Sequence, residues 1–371
     1  MVLENIPLAR PYIGQEEIDE VTEVLKSGQL SLGPKLPEFE SRFAEYVGTK
    51  YAVAVSSGTA GLHLSMKTLG LKPGDEVITS PFSFIASANC ITYERAKPVF
   101  ADIDPDTFNI DPEKIKEAIG PKTKAILPVH IFGLPADMKP IKDIAEDKGI
   151  RIIEDACEAL GAEYHKRKIG NSGNPAVFAF YPNKQMTTGE GGMIVTDDES
   201  LYKAWCALRN QGRTGGEWLD HKYIGYNYRL SDVNCAIGLA QLKKINLILK
   251  KREEAASRYS EKLRRIEGVT IPKTIENLKR SWFVYVVQLD KGIDRDKVID
   301  LLKERGIASK AYLPAIHLQA AYKEKFNYKK GDYPVCEEVS SSTIALPFFT
   351  SLKESEIERV CNALKEAISS A

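Results

Sequence analysis

Tyr51-Ala-Val-Ala-Val-Ser-Ser-Gly-Thr-Ala-Gly61 is an apolar strand pattern that runs into a turn of small residues, and Leu62-His63-Leu64 with Met66 opens a helix behind it. The same alternation continues on both sides. Strand-like runs fall at 51–55, 76–79, 98–102, 125–128, 151–154, 177–180 and 193–196, and amphipathic helical stretches separate most of them between about residues 15 and 210. Such alternation predicts a mostly parallel sheet covered by helices on both faces. Ser231 to about Arg265 then reads as one long helical stretch. Beyond it, Trp282 to Leu289 is strand-like, Arg295 to Arg305 is helical up to Gly306, and Ser351 to Ala367 is helical. The expected fold is therefore α/β. A large domain over residues 1–245 holds a mostly parallel mixed sheet between helices, and a smaller C-terminal α+β domain covers 246–371. With no internal repeat, low-complexity segment or flexible linker, the two are expected to act as one unit.

Composition narrows the functional class. The 371 residues carry 51 Lys plus Arg and 51 Asp plus Glu, so no global field draws the chain to nucleic acid or to a membrane surface. The local basic run Lys250-Lys251-Arg252 is followed by Glu253-Glu254 and reads as a solvated helix face. Six cysteines, at 90, 157, 206, 235, 336 and 361, lack C-x-x-C spacing and sit in mostly apolar surroundings. Reduced core thiols behave this way, and metal centres do not. Neither a signal-peptide pattern nor an apolar run of membrane-spanning length is present in the sequence, so a cytoplasmic enzyme is expected.

Three segments carry chemistry. Residues 176–193 read Ala-Val-Phe-Ala-Phe-Tyr-Pro-Asn-Lys-Gln-Met-Thr-Thr-Gly-Glu-Gly-Gly-Met, which places Lys184 between a buried strand and a glycine-rich turn, with no charged neighbour before Glu190. An amine emerging from a buried strand loses water, which favours the neutral form that Schiff-base chemistry with a carbonyl needs. A hairpin lysine with a solvated tip is the competing reading. The second segment is Arg151-Ile-Ile-Glu-Asp-Ala-Cys157, where a short apolar run ends in two carboxylates. Open α/β sheets bind ligands at the carboxyl ends of their strands, so Asp155 can meet a protonated pyridine nitrogen there or simply cap the next helix. The third is the turn after Val55. Its backbone amides at a helix start form an anion site, and Gly58 allows close approach of a phosphate, although Ser and Thr also cap many helices. An amine, a carboxylate and an anion turn in this order fit pyridoxal 5'-phosphate.

With these residues in place, the chain resembles the DegT/DnrJ/StrS sugar aminotransferases, fold type I pyridoxal phosphate enzymes of the aspartate-aminotransferase-like class. The likeness runs from Arg10-Pro-Tyr-Ile-Gly14 and Ser27-Gly-Gln-Leu-Ser-Leu-Gly-Pro34 through Gly74-Asp-Glu-Val-Ile78, Pro128-Val-His130 and Ile153-Glu-Asp-Ala156. It continues through Thr187-Thr-Gly-Glu-Gly-Gly192 and Gly225-Tyr-Asn-Tyr-Arg229 to Leu346-Pro-Phe348. The resemblance implies that Lys184 forms the Schiff base and that Asp155 partners the pyridine nitrogen. It also implies that Gly58 and Thr59 bind the phosphate and that Phe84 stacks on the ring. Asn227 and Arg229 match a segment that reaches into a neighbouring subunit's site, so a homodimer with shared sites is expected, with Asn227 on the cofactor and Arg229 on the substrate.

Two positions depart from the family pattern. Ala179 stands where many members carry a serine on the phosphate, which leaves Ser56, Ser57 or a water to supply that hydrogen bond. Glu158 replaces the usual Gln or His and, when ionised, cannot donate to the cofactor's phenolate. A glutamate there resembles the perosamine-synthase-like members. Together with Tyr312-Leu-Pro-Ala-Ile-His317-Leu-Gln, it implies amination at the 4-keto position of a nucleotide-diphosphate-linked keto-deoxysugar, with glutamate as amino donor and His317 either touching substrate or packed as an ordinary histidine. A 3-keto sugar aminotransferase is the alternative. A non-catalytic, cofactor-binding regulatory protein is the remaining one, and neither a basic extension nor a DNA-binding appendage speaks for it.

Overall fold

The computed structural model describes residues 5–215 and 220–371 of the 371-residue chain. Two four-stranded sheets form its centre. One has the order Lys97–Phe100, Glu76–Thr79, Thr123–Leu127, Arg151–Ile152, and the other Glu154–Asp155, Ala176–Ala179, Gly192–Thr196, Tyr51–Val55. They join into one sheet, because Ile153 N–H donates to Ile126 O at 3.1 Å and Asp155 N–H to Pro128 O at 2.9 Å, carrying the ladder across the break. All its pairings are parallel except those of Gly192–Thr196, which runs antiparallel to both of its neighbours. The expected mostly parallel α/β sheet is what forms.

Period-two alternation explains why both faces are covered. In Tyr51–Val55, Val53 and Val55 face a core that also holds Leu62, Leu64 and Met66 of the helix Gly58–Thr68. Ala52 and Ala54 face the other side, where their small size leaves room for Phe39, Phe43, Phe178 and Phe180. Those four rings meet edge-on or tilted with centroids 5.3 to 6.1 Å apart, an arrangement that suits their quadrupoles.

The expected long helix is two helices, Asp232–Lys243 and Ile245–Leu263, meeting at Lys244, whose φ of -110° and ψ of 12° leave helical geometry. Arg252 corrects the reading of a solvated face. It lies on the buried stripe Ile248, Arg252, Ala255, Tyr259 and is only 2% exposed. Its Nε and Nη2 each donate at 2.7 Å, to the carbonyls of Trp282 and Phe283, and burial pulls its pKa down to about 10.

The C-terminal sheet has the order Val269–Thr270, Tyr285–Leu289, Thr343–Leu346, Lys310–Ala311, antiparallel throughout. Tyr285, Val287, Ile344 and Leu346 share one core with side chains from Ile245–Leu263, Arg295–Glu304 and Glu354–Ser370. Ile6 joins that core and pairs with Ile307. On the opposite face, Val286 and Ala345 pack with Phe82, Val129, Ile131 and Phe132, which follow the parallel strands. This contact brings the C-terminal residues Phe283 and Tyr312 to the end of the large sheet.

Candidate active site

The carboxyl ends of the parallel strands converge on a cavity of about 470 Å³. Each strand delivers its chemistry through the first residues beyond it. Ser57, Gly58 and Thr59 follow Tyr51–Val55, Ser83 to Ser87 follow Glu76–Thr79, Asp155 ends its own strand, and Tyr181 to Lys184 follow Ala176–Ala179. Of the residues singled out in the sequence, Gly58, Thr59, Phe84, Asp155, Glu158 and Lys184 all line this one cavity.

Gly58 begins its helix against a tight floor. A Cβ there would stand 2.7 Å from Ala179 Cβ and 2.9 Å from Cys157 Sγ, so the turn needs glycine for space, and Ala179 and Cys157 support it from beneath. Ser57 caps the helix by accepting from Ala60 N–H at 3.0 Å. The amides of Gly58 and Thr59 stand in the first turn, where no helical carbonyl is available to them. Ser57, rather than Ser56, lines the cavity, and its own hydroxyl proton remains to be donated. Of the two serines considered for the hydrogen bond that Ala179 lacks, Ser57 is the one at the cavity.

Asp155 is 4% exposed. Its Oδ2 accepts from Ser87 Oγ at 2.7 Å and its Oδ1 from Cys157 N–H at 3.2 Å. Phe84, in the segment just before Ser87, is an aromatic ring left 61% exposed at a cavity wall, as a ring awaiting a flat partner would be.

The side chain of Lys184 is 13% exposed, which removes the solvated-hairpin reading. Its Nζ lies 3.6 Å from Glu158 Oε1 and 3.8 Å from the centre of the Phe283 ring. Glu158 Oε2 accepts from Phe132 N–H at 2.9 Å. Burial pushes the Glu158 carboxyl above its usual range and the charge of Asp155 adds to this, while Lys184 and the Phe132 amide oppose it. A carboxyl raised in this way can carry a proton and so donate, which the ionised form cannot.

The remaining sequence candidates lie elsewhere in the chain. Asn227 is exposed and paired with Asn210 through the backbone, and Arg229 Nη1 donates to Asn210 Oδ1 at 3.0 Å. Their segment is anchored beside the anion turn, where Ser56 N–H donates to Tyr228 O at 2.8 Å. His317 does not reach the cavity. It is fully buried, its Nε2 lies 3.0 Å from Glu337 Oε1 and its ring is edge-on to Tyr333 at 4.8 Å. Sequence reading missed Ser83, Ser87, Tyr181, Phe283 and Tyr312. Tyr181, three residues before the lysine, had a local signal, and Tyr312 opens a stretch quoted for the resemblance without a role of its own.

These residues suit pyridoxal phosphate. The cavity presents one amine, one acid for a ring nitrogen, an exposed aromatic face, and a helix start with hydroxyls for a phosphate. A family profile described as the DegT/DnrJ/EryC1/StrS aminotransferase family matches residues 11–365. The chain is 40% identical over 380 residues to the spore coat polysaccharide biosynthesis protein SpsC of Bacillus subtilis, covering 99% of this chain and 98% of that one. It is 39% identical over 370 residues to the GDP-perosamine synthase of Caulobacter vibrioides, covering 99% of each. The crystal structure of S. venezuelae DesV in complex with a ketimine intermediate superposes with a TM-score of 0.92 at 32% identity over 98% of each chain. A profile match and identity of this order, both nearly end to end, mean that the chain belongs to the DegT/DnrJ/EryC1/StrS family and is a pyridoxal phosphate-dependent sugar aminotransferase.

Proposed function

We propose that the chain moves the amino group of glutamate to the 4-keto carbon of a nucleotide-diphosphate-linked keto-deoxysugar, in the cytoplasm, for surface polysaccharide or related amino-sugar synthesis. The observation that carries the reading is the buried contact between Lys184 and Glu158. Glutamate at this position is the feature by which the chain resembles perosamine-type 4-aminotransferases, and a GDP-perosamine synthase is among its relatives.

Pyridoxal phosphate supplies a carbonyl that takes up the amine and a ring that withdraws electrons from the reacting carbon. The protein supplies the rest. Lys184 Nζ holds the cofactor, then takes the proton from the α-carbon of the amino-acid donor. In the second half of the cycle it gives a proton to the sugar carbon that has gained nitrogen. Asp155 would present its carboxylate to the ring nitrogen, and Glu158 would face the phenolate oxygen, able to donate to it when protonated. Phe84 covers one face, and the amides of Gly58 and Thr59 with the Ser57 hydroxyl take the phosphate. Among the described residues that line the cavity, Lys184 is the one cation. The family resemblance supports a homodimer in which the partner subunit supplies charge for the anionic groups of donor and nucleotide, through the segment bearing Asn227 and Arg229. The exposed position of Asn227 supports that arrangement.

Incubating the holoenzyme with glutamate and a panel of nucleotide-linked 3-keto and 4-keto sugars, with NMR of the products, tests the reading. Amination at carbon 4 is expected. Amination at carbon 3, or of none of the panel, overturns it.

A further inference from the structure

Ser87 Oγ lies 2.7 Å from Asp155 Oδ2, and Ser83 Oγ lies 2.7 Å from Ser87 Oγ. All three residues are buried and all line the cavity. Counting protons fixes the direction of the chain. A carboxylate oxygen accepts, so Ser87 donates to Asp155. Ser87 has one hydroxyl proton, and the Phe84 carbonyl at 3.2 Å is the more distant, uncharged competitor. With that proton used, Ser83 must donate to Ser87. A hydroxyl that is itself receiving a hydrogen bond donates more strongly to the next acceptor.

The other carboxylate oxygen is held by Cys157 N–H at 3.2 Å. Asp155 is therefore gripped at both oxygens, which fixes the plane of the carboxylate as well as its position. One stretch of chain organises this. Ser87 stands in the first turn of the helix Ala86–Tyr93, with Phe84 one turn earlier and Ser83 one residue before that. The segment that carries the exposed Phe84 ring also holds the hydroxyl that binds Asp155.

We propose that Ser87, supported by Ser83, is a positioning residue for Asp155, setting the direction in which the carboxylate offers its free lone pairs to the cofactor's pyridine nitrogen. The inference rests on the reading of Asp155 as that nitrogen's partner. The competing account is that Ser87 simply bonds back to a carbonyl of its own helix, as serines at helix starts often do.

Holoenzymes carrying Ser87→Ala, Ser87→Thr, Ser83→Ala and Asp155→Asn separate the two. Loss of a hydrogen bond to a charged group lowers the single-turnover rate of the glutamate half-reaction about 10- to 100-fold in Ser87→Ala. The glutamate KM stays within about twofold, because the serine's hydroxyl is engaged by Asp155 and Ser83. The pH midpoint of the cofactor's visible absorbance shifts, and the affinity of the apoprotein for the cofactor falls about tenfold. Ser87→Thr, which keeps the hydroxyl, restores rate, midpoint and affinity, and Ser83→Ala moves all three in the same direction by less. A Ser87→Ala protein that changes only its melting temperature, with native rate and native absorbance midpoint, overturns the inference. So does a folded, cofactor-loaded Ser87→Thr protein as impaired as the alanine variant. If Asp155→Asn itself shows a native rate, the assignment of Asp155 falls first and the role of Ser87 falls with it.

Discussion

Lys184 rests its Nζ 3.8 Å from the centre of the Phe283 ring. The ring comes from the C-terminal part of the chain and is held on both sides. Arg252 Nη2 donates to the Phe283 carbonyl at 2.7 Å, and Gln185, the neighbour of the lysine, donates to Ser281 Oγ at 2.8 Å. A cation over a phenyl face gains about 0.5 to 2 kcal/mol depending on how dry the site is. The amine thus has a defined resting place between an aromatic face and the Glu158 carboxyl, within the cavity.

On the proposed mechanism, replacing Lys184 removes both the attachment point and the proton carrier. Lys184→Ala is expected to fold, to lose the absorbance of lysine-bound cofactor, and to lose turnover by at least about a thousandfold. Lys184→Arg fails as well, because a guanidinium stays protonated and forms no imine. Absorbance spectra and steady-state rates check both, and near-native transamination by the alanine variant would remove the lysine from the mechanism.

Asp155→Asn keeps the shape of the carboxylate and loses its charge. The variant is expected to bind cofactor and to slow by about two orders of magnitude or more, since a neutral amide gives the ring nitrogen much weaker support. Rapid-reaction measurement of the glutamate half-reaction reads this directly. A rate within a few-fold of native means another residue partners the ring.

The raised pKa of Glu158 has a pH signature. Its folded-state pKa lies above the ordinary value of 4.5, so over that interval the folded state binds the proton more tightly than the unfolded state. The stability this provides is fully present below 4.5 and is lost as pH rises through the folded-state value. Glu158→Gln removes the titration. In the apoprotein, the melting temperature of the glutamine variant should gain on the native protein as pH rises from the acid side to neutrality. Parallel melting curves across that range would show that Glu158 does not titrate as described.

Subunit mixing tests whether the sites are shared. Lys184→Ala and Asn227→Ala proteins are each expected to be impaired, yet a fully exchanged equal mixture should recover to about a quarter of native activity, because half the dimers are mixed and one of their two sites carries neither change. Exchange without recovery, given a measurable defect in each parent, would place Asn227 in its own subunit's site or outside both.

Much of the framework could be read from local pattern. Tyr51–Val55 and Glu76–Thr79 fall at the expected residues, because apolar runs bounded by turn residues leave little choice. Strand direction is not written in such runs. Nothing in Gly192 to Thr196 distinguishes an antiparallel strand from its parallel neighbours, and the reversal goes with a connection from Ala179 that contains no crossover helix. Lys184, Asp155 and Gly58 were legible because each stands at the end of an apolar run. Ser83 and Ser87 were not, since serines near a helix start are ordinary and only the fold brings them to an aspartate 68 positions away from Ser87. Arg252 was misread for a related reason. A basic residue among other charges gives no local sign of the backbone carbonyls it will meet, and only its place on the Ile248–Tyr259 stripe shows that it turns inward.

The antiparallel strand of the large sheet also bears on how the lysine loop is held. Because Gly192–Thr196 doubles back beside Ala176–Ala179, the two ends of the lysine loop are stitched to each other. Phe180 N–H donates to Gly191 O at 2.9 Å, Thr188 N–H to Phe180 O at 3.0 Å, and Thr187 Oγ1 to the same carbonyl at 2.9 Å. A parallel neighbour would have required a long crossover and would have hung the amine from a much looser tether. Here the backbone beneath Lys184 is a fixed post beside the strand that carries Asp155. On the proposed mechanism, a lysine that releases its partner and recaptures it in every turnover needs only to rotate its own carbon–carbon bonds, from a backbone tied to the strand that carries the acid.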